Sequence, residues 1–494
     1  MQLKDLINKI SPTTVEGPVD CEITGITYDS RRVTPGMVFV AIPGENVDGH
    51  DFIHAAIDRG ASAVICEQNG FLAQRATKIK VKDSRVAMAN AAAAFYGNPG
   101  AKLKVIGVTG TNGKTTVAFM VKQILESAGI KTGLIGTVRY EIGERVIPAH
   151  RTTPEALEIQ QMLAQMQRAG CAACVMEVSS HALDQKRVHG IEFDAAIFTN
   201  LTQDHLDYHG TMENYFQAKK SLFDSLLGSS KKAGVVINID DSFGAELARN
   251  SKAEIQLTYG LDASATIRAI EISLASDATD MIVETGGERF KCRLPLIGRH
   301  NVYNALAATG AGMVLNVGMP AIRRALQNLS PVPGRLEAVV TDRPFSVYVD
   351  YAHTDDALDH VLRTVREITS GRVLLTFGCG GSRDTGKRAK MGRVAAELAD
   401  FTIITSDNPR RESPAAIAAQ IEEGFQCVER APYRIELDRR RAIEEILHMA
   451  QPGDCVLIAG KGHESYQEFE NTVVPFDDRV HAQEALEMLD VTVT

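Results

Sequence analysis

The chain carries no block of basic residues, no long apolar run and no dense set of cysteines, and each absence closes off a class of function. Its net charge of −9 is spread over 494 residues, so the basic footprint of a nucleic-acid binder, or of a protein held on an anionic membrane, is missing. Small molecules are the expected partners, with no nucleic acid. Met1 to Ile10 alternates charged and apolar residues in place of a hydrophobic signal region, and the most apolar later stretch, 305–322, is interrupted by Gly, Asn and Pro. A cytoplasmic location without membrane insertion is expected. Eight cysteines are too sparse in so long a chain for a disulfide scaffold. Cys66, Cys174 and Cys455 fall in strand-like apolar runs, where a thiol behaves as a small hydrophobe. The lone pair Cys171 and Cys174 lacks the second ligand pair of a zinc site. It also lacks the following helix of a redox motif, since Val175-Met176-Glu177-Val178 reads as a buried strand. No solenoid period and no low-complexity tract occurs.

The length suits about three domains. Two hinges divide the chain, Asn98-Pro99-Gly100 and Pro331-Val332-Pro333-Gly334, where proline blocks helix continuation. The resulting modules are 1–98, 99–333 and 334–494. The first has β-patterned runs at 21–28 and 37–42, then a helix-then-strand pattern from 52 to 65, and reads as a small α/β domain. The second alternates helical stretches with apolar runs at 104–109, 172–178, 194–199 and 234–239, which predicts a mostly parallel sheet covered by helices. The third repeats the theme at 345–349, 372–377, 401–405 and 454–459, predicting a second open α/β sheet of Rossmann-like character. The fold class is therefore α/β throughout. In such sheets ligands gather at the carboxyl ends of the strands, and the loops after these runs are rich in polar groups.

The clearest such loop is Gly110-Thr111-Asn112-Gly113-Lys114-Thr115-Thr116, between the 104–109 run and a helix-patterned stretch. Glycines let backbone N–H groups close on an anion, and the helix that follows adds the positive end of its dipole. Lys114 supplies a cation for terminal phosphates and Thr115 a hydroxyl for magnesium. The spacing departs from the standard phosphate-loop pattern, because Val108 stands five residues before Gly113. Beside this cradle should open Glu177-Val178-Ser179-Ser180-His181 and the run from Asn200 to Gly210. Magnesium on a nucleotide needs hard oxygen ligands, which Thr115 and Glu177 provide. His205 is a less usual magnesium ligand, and chemistry alone leaves its role open.

The cradle, Glu177 to His181, Asn200 to Gly210, Gly298-Arg299-His300-Asn301-Val302-Tyr303-Asn304 and Asp350-Tyr351-Ala352-His353 together resemble the signature blocks of the Mur ligases. Asp407-Asn408-Pro409-Arg410 and Gly460-Lys461-Gly462-His463-Glu464 resemble the diaminopimelate-adding branch of that family. The resemblance spans all three modules. It implies an N-terminal UDP-sugar-binding domain, a central ATP-binding domain and a C-terminal amino-acid-binding domain. The activity implied is ATP-driven amide formation between UDP-MurNAc-L-Ala-D-Glu and meso-diaminopimelate, through an acyl phosphate, in cytoplasmic peptidoglycan synthesis. It also implies ATP and Mg2+ as cofactors, with a monomer as the expected state. Lys219 matches a lysine that the family carbamylates, which would place Lys114, Lys219, His205 and Glu177 at the chemistry and Thr115, Glu177, His205 and Lys219 around the metal. From residue pattern alone Lys219 and Lys220 both read as solvated helix residues. Asn301, Asn304, Arg335 and Asp350 match positions for adenine and ribose. Ser30, Thr152, Thr153, Ser179, Gln185 and Arg187 match positions for the nucleotide sugar, and Arg187 can pair with an anion in forked geometry. Glu45-Asn46 departs from the family's usual dipeptide, leaving uridine contacts there open.

Charge argues for the amino acid. Arg383 and Arg410 offer guanidinium groups for carboxylates, while Asp407 and Glu464 offer acceptors for ammonium groups, with Asn408, Pro409 and Gly460 between them. A lysine substrate would leave Arg410 facing a cation. The role of Arg411 stays open. The competing readings are a lysine-adding homologue, a folylpolyglutamate synthetase and, from another class, a phosphate-loop switch or motor that turns over nucleotide without a second substrate.

Overall fold

The computed structural model describes residues 1–491 except 45–46, 69–74, 276 and 430, so Glu45 and Asn46 lie outside the described residues. Three principal sheets follow one another along the chain. The first has five strands in the order Thr14–Glu16, Thr77–Lys80, Ala63–Cys66, Met37–Val40, Gly25–Thr27, parallel except for the first pair. Helix Ser84–Phe95 begins where Asp83 accepts from Val86 N. Alanines such as Ala87 and Ala91 let it sit close to the sheet and to helix Leu3–Ile10. Its other neighbour is Ala156–Arg168 of the central module, whose Ala156 and Leu157 join the same core.

The central sheet has eleven strands. Its middle is parallel, with Lys104–Thr109 between Ala173–Glu177 and Ala195–Phe198, and then Gly234–Asn238 and Ile255–Gly260. Strand residues alternate between two cores, as a period of two requires. Ile106 and Val108 face helices Lys114–Ser127 and Arg299–Val314, while Val105 faces Ala156–Arg168 and Met212–Asp224.

Both edges of this sheet differ from the parallel expectation. Thr132–Ile135, Arg139–Ile142 and Arg145–Pro148 form an antiparallel meander at one end. Ile267–Leu274, Thr279–Thr285 and Glu288–Leu294 form another at the opposite end. The physical reason is one-sided burial: along Thr279–Thr285 alternate residues are buried, and Gly286-Gly287, both at positive φ, make the tight turn that an antiparallel pair needs.

The third sheet runs Glu337–Ala338, Ser346–Asp350, Cys455–Ala459, Val373–Phe377, Phe401–Ile404, Tyr433–Ile435, parallel after its first pair. Helices Asp355–Ile368, Lys387–Leu398 and Pro414–Phe425 cover one face, and Arg439–Met449 and Asp478–Val491 the other. A separate hairpin, Tyr466–Phe469 with Thr472–Pro475, lies against Arg410. Cys171 and Cys174 are buried free thiols, Cys174 in the strand predicted for it and Cys171 just before it, and burial pushes the Cys174 thiol up. No helix among the described residues is long and apolar enough to cross a membrane.

Candidate active site

The strand Lys104–Thr109 ends at Gly110, where φ is 148°, and helix Lys114–Ser127 starts after Gly113, at 85°. A side chain at Gly110 would collide with Thr199 Oγ1, and one at Gly113 with Asn304 Oδ1. Both glycines are therefore required by close approach as well as by backbone angle. The loop is pinned from beneath: Thr111 N donates to Asn200 O (2.9 Å), Asn112 N to Asn200 Oδ1 (2.9 Å), and Thr199 Oγ1 to Asn112 O (2.6 Å). Thr116 is buried in the first turn of the helix.

Two lysines converge on this loop. Lys114 Nζ donates to Gly110 O (2.9 Å) and Thr111 O (2.8 Å), and Lys219 Nζ donates to the same Gly110 O (2.7 Å). Lys219 is 1% exposed, with its nitrogen 4.5 Å over the Tyr215 ring. Burial, and then the charge of Lys114, hold its pKa well below that of an ordinary lysine. Desolvation lowers Lys114 as well, opposed by Glu177 and Asp204. The solvated reading of Lys219 is thus corrected: on Met212–Asp224 its side chain points inward, whereas Lys220 points out and pairs with Asp224 (2.7 Å). Two lysine nitrogens sharing one carbonyl oxygen crowd N–H donors at the mouth of the loop, a place suited to anionic oxygen.

Glu177, 1% exposed, ends its strand beside the cradle. Thr115 Oγ1 donates to its Oε2 (3.0 Å), Thr137 N to Oε1 (2.8 Å) and Thr137 Oγ1 to Oε2 (2.9 Å). Arg335 reaches across from the third module, its Nη2 donating to Thr115 Oγ1 (3.1 Å), while its buried Nε has no hydrogen-bond partner among the described residues. These are hard oxygen donors beside a guanidinium with an unspent Nε, a set that fits a nucleotide phosphate with magnesium. Among the described residues no three His, Cys, Asp or Glu side chains gather as a metal site. His205 takes a left-handed φ of 54° and lies 3.3 Å from Asp204 and edge-on to His181, with burial lowering its pKa.

The expected sugar residues form a connected string. Thr153 Oγ1 donates to Glu177 O (2.8 Å) and accepts from Ser179 N (3.0 Å), and Thr152 Oγ1 meets Thr137 Oγ1 (3.0 Å). Arg187 donates to Thr153 O (3.0 Å) and to Gln185 Oε1 (2.6 Å). Ser30 stands apart in the first module, two residues from Tyr28, whose hydroxyl donates to Glu158 (2.7 Å). Sequence reasoning missed Glu155, which gathers Arg151, Arg187 and Arg85. The charge pattern Arg151 to Glu155, four residues apart, was the available signal.

In the third module Asp350 accepts from Leu336 N (2.6 Å) and Ala352 N (2.7 Å), and burial raises its pKa. Asn301 Nδ2 donates to Ile297 O (2.8 Å) and Asn304 Nδ2 to Asn301 Oδ1 (2.9 Å), leaving Asn304 Oδ1 toward the cradle. Arg410, at φ 51°, donates from Nε to Glu468 (2.8 Å) and from Nη1 to Gly381 O (2.9 Å). Pro409 and Gly381 pack backbone to backbone, and a side chain at Gly460 would meet Asp407 Oδ2. Asn408 Nδ2 donates to Glu464 Oε2 (2.8 Å). Arg383 and Arg411 are exposed. The third module is tied to the cradle a second time: Asn112 Nδ2 and Thr202 Oγ1 each donate to Asp356 Oδ2 at 2.9 Å. Arg335 also lies 5.0 Å over the Tyr351 ring, which meets the His463 ring at 4.9 Å, one residue from Glu464.

Three family models match the chain: the Mur ligase family catalytic domain over residues 22–96, the Mur ligase middle domain over 108–312 and the Mur ligase glutamate ligase domain over 334–462. A Geobacter metallireducens protein named UDP-N-acetylmuramoyl-L-alanyl-D-glutamate--2,6-diaminopimelate ligase is 44% identical, covering 97% of each chain. One of the same name from Clostridium tetani is 44% identical over 99% of this chain and 100% of its own. A solved structure of a ligase so named superposes with a TM-score of 0.71 at 32% identity, covering 99% of each chain.

Proposed function

We infer the reaction from one premise, that this chain belongs to the Mur ligase family: it is an ATP-dependent ligase that joins meso-diaminopimelate to UDP-N-acetylmuramoyl-L-alanyl-D-glutamate in peptidoglycan precursor synthesis. The D-glutamate side-chain carboxylate is a poor acyl donor. One of its oxygens attacks the γ-phosphorus of ATP, the bond to the β-phosphate oxygen breaks and ADP leaves. The diaminopimelate amine then attacks the acyl carbon, loses a proton and displaces phosphate.

In this reading Gly110 to Thr116 hold the phosphates and Lys114 neutralises charge as it develops. Thr115, Glu177, His205 and carbamylated Lys219 are the residues that would hold magnesium, which supplies positive charge at the phosphate oxygens when bound. Lys219 has the environment for carbamylation, because burial and the neighbouring charge of Lys114 favour the uncharged amine, the form able to add to carbon dioxide. Asn301, Asn304, Arg335 and Asp350 hold adenosine. Ser30, Thr152, Thr153, Ser179, Gln185 and Arg187 hold the nucleotide sugar. Arg383, Asp407 to Arg410, Gly460 and Glu464 hold the amino acid. The modules are 1–98, 99–333 and 334–494, and the enzyme works as a cytoplasmic monomer without membrane insertion.

One observation carries the site assignment. Thr115 is gripped by Glu177 from the central module and by Arg335 from the third, and Arg335 leads through Tyr351 and His463 to Glu464. This run of contacts supports a site in which the phosphate cradle and the amino-acid loops are neighbours, as transfer between them demands. Mass spectrometry of the product from ATP, the UDP-dipeptide and either diaminopimelate or lysine tests the reading. The diaminopimelate tripeptide is expected, with ADP and phosphate formed in equal amounts. Equal use of lysine, or ATP turnover without the other two substrates, would sink it.

A further inference from the structure

Lys461 is a buried cation that the reaction as described does not use. It is 0% exposed and sits where strand Cys455–Ala459 gives way to the loop carrying Gly460 and Glu464. Its Nζ donates to Asn408 Oδ1 (3.1 Å) and Glu464 Oε2 (3.1 Å), lies 3.9 Å from Asp407 Oδ1, and stands 5.5 Å over the Tyr466 ring. Asn408 Oδ1 accepts a second bond from Glu468 N (3.0 Å), so the amide is fixed with its nitrogen toward Glu464. One ammonium thereby sets the orientation of Asn408 and Glu464 and lies beside Asp407.

The surrounding charges give this a consequence. Arg410 is matched by Glu468 (2.8 Å), and Arg439 beneath the loops is matched by Asp478 (2.7 Å), both side chains of the latter pair at 0% exposure. Among the described residues Asp407 and Glu464 have one ion-pair partner between them, Lys461, with the Arg439 charge acting on both from beneath. Two carboxylates that share one ammonium, Asp407 among the buried residues and Glu464 at 18% exposure, favour a further cation beside them.

We propose that Lys461 is a positioning residue for amino-acid recognition: it fixes Glu464 and Asn408 and neutralises one of two carboxylates, so that the remaining negative charge selects the ammonium group of the incoming amino acid. Lysine suits this task because its three donors form a compact charge with no acceptor of its own. The proposal rests on the reading that these loops hold diaminopimelate, so the test includes a variant that probes that reading alone.

Steady-state kinetics on the full enzyme compare wild type, Lys461→Met and Arg410→Ala, with diaminopimelate and ATP varied separately. Lys461→Met is expected to raise KM for diaminopimelate roughly 10- to 100-fold, the worth of one hydrogen bond to a charged group, with KM for ATP within about twofold. A diaminopimelate KM unchanged in Lys461→Met but raised in Arg410→Ala overturns the role of Lys461 and leaves the pocket standing. No change in either variant overturns the pocket and the proposal with it. A parallel rise for ATP and diaminopimelate in Lys461→Met marks a merely structural residue and overturns the proposal. If Lys461→Met does not fold, Lys461→Met/Glu464→Gln decides: a double variant that folds supports the pairing, because Glu464 no longer needs a cation, and one that also fails to fold overturns it.

Discussion

Lys219→Met should separate stability from activity. The wild-type amine has one hydrogen-bond partner among the described residues, Gly110 O at 2.7 Å, and one ring neighbour, Tyr215 at 4.5 Å. Losing the hydrogen bond costs about 1 kcal/mol, and losing the ring contact on the order of another 1 kcal/mol. Against this, a thioether of similar length removes the desolvation of a buried amine, which other buried charges show to be worth about 1 to 4 kcal/mol. The two sides nearly cancel, so stability should change by no more than about 2 kcal/mol, a shift of a few degrees in melting temperature at roughly 2 to 4 °C per kcal/mol. Turnover should behave differently. Removing one preorganised group that answers charge in the transition state costs roughly 100- to 1,000-fold. Thermal unfolding alongside phosphate release at saturating substrates reads both quantities, and removing carbon dioxide should slow the wild type while leaving Lys219→Met unaffected. A variant within about threefold of wild-type turnover refutes the site assignment. A melting point lower by more than about 10 °C refutes the claim that the amine is a guest in this fold.

Arg439→Met strands the Asp478 carboxylate, fully buried in a pair 2.7 Å long, and should cost about 3 to 5 kcal/mol; replacing both partners with apolar residues should recover most of it. Calorimetry that finds the single variant as stable as the parent would contradict that balance. Glu412 is held down to about 2 by the Arg388 guanidinium and then by Ser382 N, from an ordinary value of 4.5. A carboxylate depressed in the folded state stabilises fully above about pH 4.5 and loses that contribution as pH falls toward 2, so Glu412→Gln should flatten the acid limb of urea unfolding measured from pH 5 to 3. An unchanged slope would mean that Glu412 is not part of it.

What could be read in the sequence was local. The cradle announced itself because glycine spacing, a preceding apolar run and a following helix all lie within a dozen residues, and the loops after the parallel strands carried their polar groups in contiguous runs. The parts that stayed hidden depend on pairing at a distance. Lys219 and Lys220 are indistinguishable by composition, and only the rotation of about 100° between neighbours on a helix puts one against Gly110 and the other in solvent. Asp356 meets Asn112 across 244 positions and Arg335 meets Thr115 across 220, separations at which no periodicity survives. The antiparallel edges were legible in principle, since Gly286-Gly287 and the alternation after Ala278 mark a hairpin. Lys461 and Glu155 were visible as letters, but their roles follow from what surrounds them.

The contact of Asp356 with Asn112 and Thr202 has a thermodynamic corollary. A carboxylate of the third module is seated on the very loop that takes phosphate, so any free energy that nucleotide adds to or removes from that seat is felt where the amino acid docks. Such coupling must run equally in both directions: the factor by which ATP alters affinity for diaminopimelate is the factor by which diaminopimelate alters affinity for ATP. Asp356→Asn, which removes the charge of that seat and leaves every residue of the cradle and of the amino-acid loops in place, would then change the synergy between the two ligands more than the grip on either one alone.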